Sequence, residues 1–267
     1  MHIHQITDTH LPADQGRLRR YLERLNQGDL GPLPDRIIHT GDLVDGNRGG
    51  EECVLREQLQ HARGILDLAP VPIHCICHSH DRFGEPPAER GQAFREIIEP
   101  ELLQHLPLPE ADLFLVSASV PFPADYWPEG EGPPPEHNPD WGYDLYDPWF
   151  MKMLDPLLQQ GSRRQRLLFT HLPIVPGTEP EHPVSKDEKE KLLRYCIGEE
   201  GRERVLPWLQ KHGITHVFGG HVHLASRQNL AGIEFHTSLS MKTPPYGFRS
   251  ITVDNNKVQS RTVLTSG

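Results

Sequence analysis

Asp and His recur along this chain in places where they could hold a metal ion. Asp8-Thr9-His10 comes first, followed by Gly41-Asp42-Leu43-Val44-Asp45 and His78-Ser79-His80-Asp81. A lone His171 and Gly220-His221-Val222-His223 complete the series. The chain carries 17 His in 267 residues, a high count, and neutral imidazole is the commonest metal ligand in proteins. Mixed carboxylate and imidazole donors suit Mn²⁺, Fe or Zn²⁺ better than Ca²⁺, which prefers oxygen alone. Each motif also has a plain reading. An Asp-x-His triplet can be a solvated turn, Gly41–Asp45 a turn followed by a helix cap, and Gly219–His223 a glycine-rich turn into a strand. The whole ordered series, each member directly after an apolar β-run, is much harder to dismiss.

The elements that must position these residues can be read from periodicity. Residues 2–7 alternate as a short strand that runs into Asp8. Arg36–Thr40 is a strand ending at Gly41-Asp42, and Val71–Cys77 is one ending at His78. Arg166–Thr170 runs into His171, and Ile214–Phe218 runs into Gly219-Gly220-His221. Helices are expected at 16–27, 51–68, 88–98, 148–160 and 186–212, the last interrupted near Gly198–Gly201. Further strands are expected at Leu113–Val120 and near 225–229, 233–239, 249–254 and 257–263. In α/β sheets, ligands bind outside the carboxyl ends of the strands. Five strands ending in potential metal ligands can therefore bring residues far apart in sequence to one crevice.

Residues 121–149 hold many Pro and Gly with aromatics among them. Proline breaks both ladders and helix interiors, so this is a long irregular loop. Its aromatics argue against a plain linker, and it reads as a lid or rim over a site, or equally as a surface insertion. There is no internal repeat and no domain boundary, so a single domain over 1–267 is expected, with 121–149 as an insertion.

Net charge is −10, which disfavours unspecific binding to nucleic-acid polymers or anionic membranes. It does not exclude an anionic substrate, because bound divalent ions can reverse the local sign. Mean hydropathy is −0.55, and no apolar run approaches the roughly 20 residues of a membrane helix. The four Cys form no paired C-x-x-C set, so they read as free thiols rather than zinc ligands. The N-terminus shows no basic stretch followed by a long apolar run, and the expected location is the cytoplasm.

The motif series resembles the calcineurin-like metallophosphoesterase superfamily. Its pattern is Asp-x-His, Gly-Asp-x-x-Asp, Gly-Asn-His-Asp/Glu, a His, and Gly-His-x-His. The resemblance implies an α/β fold, a four-layer α-β-β-α sandwich of two packed mixed β-sheets flanked by helices. It implies two divalent metal ions (Mn, Fe or Zn). Asp8, His10 and His223 hold one, the Ser79 position, His171 and His221 hold the other, and Asp42 bridges them. Hydroxide between the ions attacks phosphorus, and His80 donates a proton to the leaving oxygen. Asp81 orients His80, while Asp45 supports the Asp42 loop. The chain departs from the pattern at one motif, where His78-Ser79 replace Gly-Asn. Ser79 offers a neutral oxygen on a shorter side chain, and His78 is a second, alternative donor.

Chain length, the GDLVD motif and the tail GFRSITVDNNKV look like the cyclic-nucleotide phosphodiesterase branch, which implies hydrolysis of phosphodiesters in a small-molecule substrate. The alternatives are a phosphomonoesterase acting on a small phosphorylated metabolite and, from another class, a metal-binding scaffold with impaired catalysis. His80 and Asp81 favour an enzyme, because a scaffold has no need of a proton donor.

Overall fold

A computed structural model of the chain describes residues 1–46, 52–82, 91–117, 127, 130, 147–161, 165–254 and 257–265. Among these residues the helices are α1 (Arg17–Gln27), α2 (Glu52–Leu66), α3 (Gln92–Ile97), α4 (Pro148–Gln159), α5 (Lys186–Arg194) and α6 (Glu199–Lys211). The first seven strands are β1 (His2–Ile6), β2 (Arg36–His39), β3 (Ile73–Cys75), β4 (Leu103–Pro107), β5 (Ala111–Val116), β6 (Gln165–Phe169) and β7 (Glu179–Pro180). The remaining five are β8 (His216–Gly219), β9 (Ser226–Leu230), β10 (Ile233–Thr237), β11 (Gly247–Asp254) and β12 (Lys257–Leu264).

The strands form two mixed sheets. One has five strands in the order β12-β11-β1-β2-β3, and the other has seven in the order β4-β5-β6-β8-β10-β9-β7. β1, β2 and β3 run parallel, as do β5, β6, β8 and β10. Antiparallel pairing closes one margin of the first sheet, at β11 and β12, and both margins of the second, at β4 and at β9 and β7.

Side-chain alternation explains the layering. Ile3, Ile38, Ile251 and Val253 of the first sheet meet Leu113, Leu115, Leu167, Phe169 and Phe218 of the second in one buried cluster. Their neighbours in sequence, Ile37, Phe114, Leu168 and Val217, belong instead to the cluster that includes the buried helix faces. Helix α1 lies on the five-stranded sheet, where Tyr21 hydrogen-bonds the His4 ring at 2.8 Å and packs against Phe248. On the other side, α6 is tied to α4 by the Trp208 indole N–H donating to Asp155 at 2.7 Å. This is the expected four-layer sandwich.

Most expected elements are present, with limits that differ by a few residues in either direction. The 186–212 helix is two helices, broken at Tyr195–Gly198. Strands β4 and β7 were not expected. β4 reads Leu-Gln-His-Leu-Pro without clear alternation, and β7 has two residues. Of the loop at 121–149, only Trp127, Gly130 and residues 147–149 belong to the described residues, so the lid reading lies outside them. Cys75 and Cys77 are buried free thiols. No helix among the described residues is long and apolar enough to cross a membrane.

One buried charge ties the two sheets together. Arg249 on β11 is fully buried and donates to the Thr237 carbonyl on β10 at 2.6 Å, to Glu181 at 3.1 Å and to Ser260 at 3.2 Å. Removing one partner of a buried ion pair strands the other and typically costs about 3–5 kcal/mol. Arg249→Ala should therefore lower unfolding free energy by about 3–5 kcal/mol in urea titrations. A loss near zero would mean that this tie contributes nothing to holding the sheets together.

Candidate metal centre

The carboxyl ends of β1, β2 and β3 in one sheet, and of β6 and β8 in the other, all open onto the same place. They deliver Asp8 and His10, Asp42, His78, His171, and His221 and His223 respectively. The loops are laced to one another by backbone bonds. Asp8 N–H donates to Gly41 O at 3.1 Å, His10 N–H to Asp42 O at 2.9 Å, and Gly220 N–H to His171 O at 2.8 Å. The Ser240 hydroxyl donates to Asp8 O at 2.9 Å.

Five of these residues take the left-handed backbone conformation: Asp8 (φ 51°), His10 (48°), Asp42 (54°), His221 (67°) and His223 (61°). Asp and His tolerate this region better than most residues, but it still costs of order 1–3 kcal/mol each and persists only where surroundings fix it. Here it turns each side chain back over its strand end. Two glycines make room. Gly41 has φ +99°, and a Cβ on it would lie 2.8 Å from the His171 ring. A Cβ on Gly220 would collide with the Thr7 hydroxyl and lie 2.8 Å from Asp8 Oδ2.

Two buried carboxylates form the middle of the site. Asp8 Oδ2 accepts from Thr7 Oγ1 at 2.8 Å and from His221 N–H at 2.9 Å. Asp8 Oδ1 lies 3.1 Å from His223 Nε2 and 3.7 Å from His171 Nε2, within ion-pair reach but off the line of a hydrogen bond. Asp42 Oδ2 lies 3.3 Å from His171 Nε2 and 3.6 Å from His10 Nε2, and its Oδ1 lies 2.9 Å from His78 Nδ1.

The imidazoles are oriented from behind, as ligand imidazoles commonly are. His171 Nδ1–H donates to Thr40 O at 2.7 Å, His223 Nδ1 bonds Thr243 Oγ1 at 3.0 Å, and His10 Nδ1 stands 3.3 Å from Asp45 Oδ1. Each leaves Nε2 facing the carboxylates. Burial pulls His10 and His78 down to about 4 and His221 to about 3, so their lone pairs are free. Burial also pulls His171 down, but Asp42 and Asp8 outweigh it and push His171 up to about 9. Asp8 and Asp42 show the converse. Burial pushes both up, and the neighbouring histidines hold both below the ordinary range.

Three groups keep their donor atoms within 4.8 Å of one another: Asp8, His10 and His223; His10, Asp42 and His80; and Asp42, His78 and His171. The donor set fits divalent ions of the Mn, Fe or Zn type. His221 lies just outside these groups, its ring 5.3 Å from that of His171 and 5.9 Å from that of His78. The Ser79 hydroxyl meets His78 Nδ1 at 3.2 Å.

The carboxylate beside His80 is Asp45, not Asp81. Asp45 Oδ1 is 3.0 Å from His80 Nδ1, and its other oxygen is 3.6 Å from Lys242 Nζ. Asp81 spends its oxygens on Val44 N–H at 2.9 Å and His78 N–H at 3.1 Å, so it holds the loop. Burial and Asp42 raise its carboxyl to about 8 against those two bonds. Sequence reasoning also missed Lys242 and Thr243, which reach the site from outside the motif series, and Lys191, whose ammonium feels the charge of Asp8. Only the polar interruption of the tail at Ser240–Thr243 hinted at the first two.

This chain belongs to the calcineurin-like phosphoesterase family, which its residues 1–225 match. The class is that of metal-dependent phosphoric ester hydrolases. A comparison with curated proteins finds no match. Among solved structures, a dimetal phosphatase from Danio rerio is 18% identical with a TM-score of 0.63, over 98% of this chain and 95% of that one. TT1561 of Thermus thermophilus is 14% identical with a TM-score of 0.58, over 98% of both chains. GAP50, the anchor in the inner membrane complex of Plasmodium, is 12% identical with a TM-score of 0.58, over 99% of this chain and 84% of that one. Likeness at such low identity speaks to the fold alone.

Gly220→Ala tests the close approach at Asp8. It should weaken metal binding at least about tenfold, the scale for disturbing residues around a metal, while the far-ultraviolet dichroism stays unchanged. Calorimetric titration with Mn²⁺ showing wild-type affinity would refute the crowding argument.

Proposed function

We propose that this chain hydrolyses phosphodiesters, with Asp8, His10, Asp42 and His223 around one divalent ion and Asp42, His171 and His221 around a second. The observation that carries this reading is that buried donor atoms of three of these residues have no hydrogen-bond partner: Asp8 Oδ1, His10 Nε2 and His171 Nε2. Each unsatisfied buried polar atom costs about 1–3 kcal/mol, and cations satisfy all of them at once. When bound, such ions supply Lewis acidity toward the phosphoryl oxygens and acidify water.

The residues around the centre do the rest. The His80 side chain is 19% exposed at the rim, where it reaches a leaving oxygen and delivers a proton. Asp45 stands within ion-pair reach of both His80 and His10. Lys242 brings a positive charge to the same rim. The GDLVD motif and the tail favour a diester. One observation favours a monoester as the second reading. The Lys191 ammonium is half-buried, and the acidic group acting on it most strongly is Asp8, ahead of Glu188. An added cation suits the dianionic charge of a monoester. The free cysteines support a reducing compartment such as the cytoplasm.

The test is turnover of bis(p-nitrophenyl) phosphate, p-nitrophenyl phosphate and cyclic nucleotides with Mn²⁺, Fe²⁺ or Zn²⁺. The diester should be hydrolysed faster, and a chelator should abolish turnover. His80→Ala should lower kcat about 10²–10⁴-fold with metal content unchanged. Faster monoester turnover selects the second reading. Turnover no higher than that of His80→Ala would leave a scaffold.

A further inference from the structure

The site has a gap where the family pattern places Asn. Ser79 stands there, and its hydroxyl is engaged with the neighbouring His78 ring at 3.2 Å rather than with Asp42 or His171. The imidazole of His78 fills the gap. It is 1% exposed, and its ring stacks on that of His171 at 3.8 Å between centroids and 30° between planes. Its Nδ1 is 2.9 Å from Asp42 Oδ1. Two donors on one ion, with bonds near 2.1 Å, are separated by about 3 Å at right angles and about 3.4 Å at the tetrahedral angle.

The backbone shows why a side chain is tolerated where the pattern has Gly. His78 has φ −135° and ψ −174°, an extended conformation open to any residue. The Asp81 carboxylate clamps it by accepting the His78 N–H at 3.1 Å. Gly41 then provides the space, because a Cβ there would sit 3.0 Å from the His78 Cβ.

We propose that His78 is a ligand of the second metal ion, donating an imidazole nitrogen beside Asp42 and His171 in place of the amide oxygen the family pattern supplies. This rests on the two-ion reading above. It changes the chemistry of that position from a hard neutral oxygen to a borderline nitrogen. Such a change shifts preference from Mn²⁺ toward Zn²⁺ or Fe²⁺.

The alternative role is positioning: the His78 ring donates a hydrogen bond to Asp42 and never touches the ion. The two roles separate by metal content and spectroscopy, independent of turnover. Wild-type protein titrated with Zn²⁺ should take two ions, and His78→Ala should take one, with the Asp8–His10–His223 ion retained at unchanged affinity. Ser79→Ala should still take two. In Co²⁺-loaded protein, His78→Ala should lack one of the hyperfine-shifted exchangeable imidazole N–H signals of the wild type. His78→Gln should restore the hydrogen bond but not the N–H signal. Two ions at wild-type affinity in His78→Ala would overturn the proposal. So would a parallel weakening of both ions in His78→Ala, since Asp42 touches both. Failure of the two-ion reading looks different: the wild type itself would bind fewer than two ions.

Discussion

Two carboxylates buried within reach of the same imidazole are the constraint that this structure is built around. Asp8 and Asp42 have almost no exposure, and His171 Nε2 stands between them at 3.7 and 3.3 Å. Burying one ionised carboxylate is costly, and burying two side by side adds their repulsion. Histidines alone offset part of this, because burial favours the neutral form of His10, His78 and His221. The left-handed residues, the glycines at 41 and 220 and the lacing of loops by backbone bonds all serve to hold that charge in place. A folded chain that tolerates so much local strain has a strong electrostatic reason to do so.

The fold meets this constraint by drawing donors from both sheets. Asp8, His10, Asp42 and His78 come from the five-stranded sheet, and His171, His221 and His223 from the seven-stranded one. Much of the interface between the sheets is apolar, with Ile3, Ile38, Leu113, Leu167 and Phe218 in contact, and the buried Arg249 and Gln5 cross it as polar ties. The motif Asp and His residues are gathered at one end of the sandwich, where the parallel strands stop. GAP50 shares the architecture at low identity, a reminder that chemistry depends on the side chains at that end and not on the layers beneath.

Much of this was legible in the sequence because strand endings are local. An apolar run that stops at Asp or His announces both the strand and the candidate ligand, and β1, β2, β3, β6 and β8 all did so. Partners set by closure of the sandwich were not legible. Asp45 rather than Asp81 sits beside His80 because the Val44 and His78 N–H groups already occupy Asp81. Lys191 arrives on α5, and Lys242 on the loop before β11, with no motif to mark them. β4 and β7 escaped notice because one lacks alternation and the other is too short for any period. Both were settled by neighbours in the sheet rather than by their own residues.

The spread of the donors along the chain bears on how such a site is born. Asp8 and His223 are 215 residues apart, yet their side chains meet at 3.1 Å. Contacts between such distant residues form late and slowly, and a chain emerging from the ribosome folds from its N-terminal side. For most of its synthesis, then, the protein exposes isolated Asp-His pairs but no complete cage. The choice of metal is deferred to the finished chain, when β8 slots between β6 and β10 and its histidines reach the residues made first.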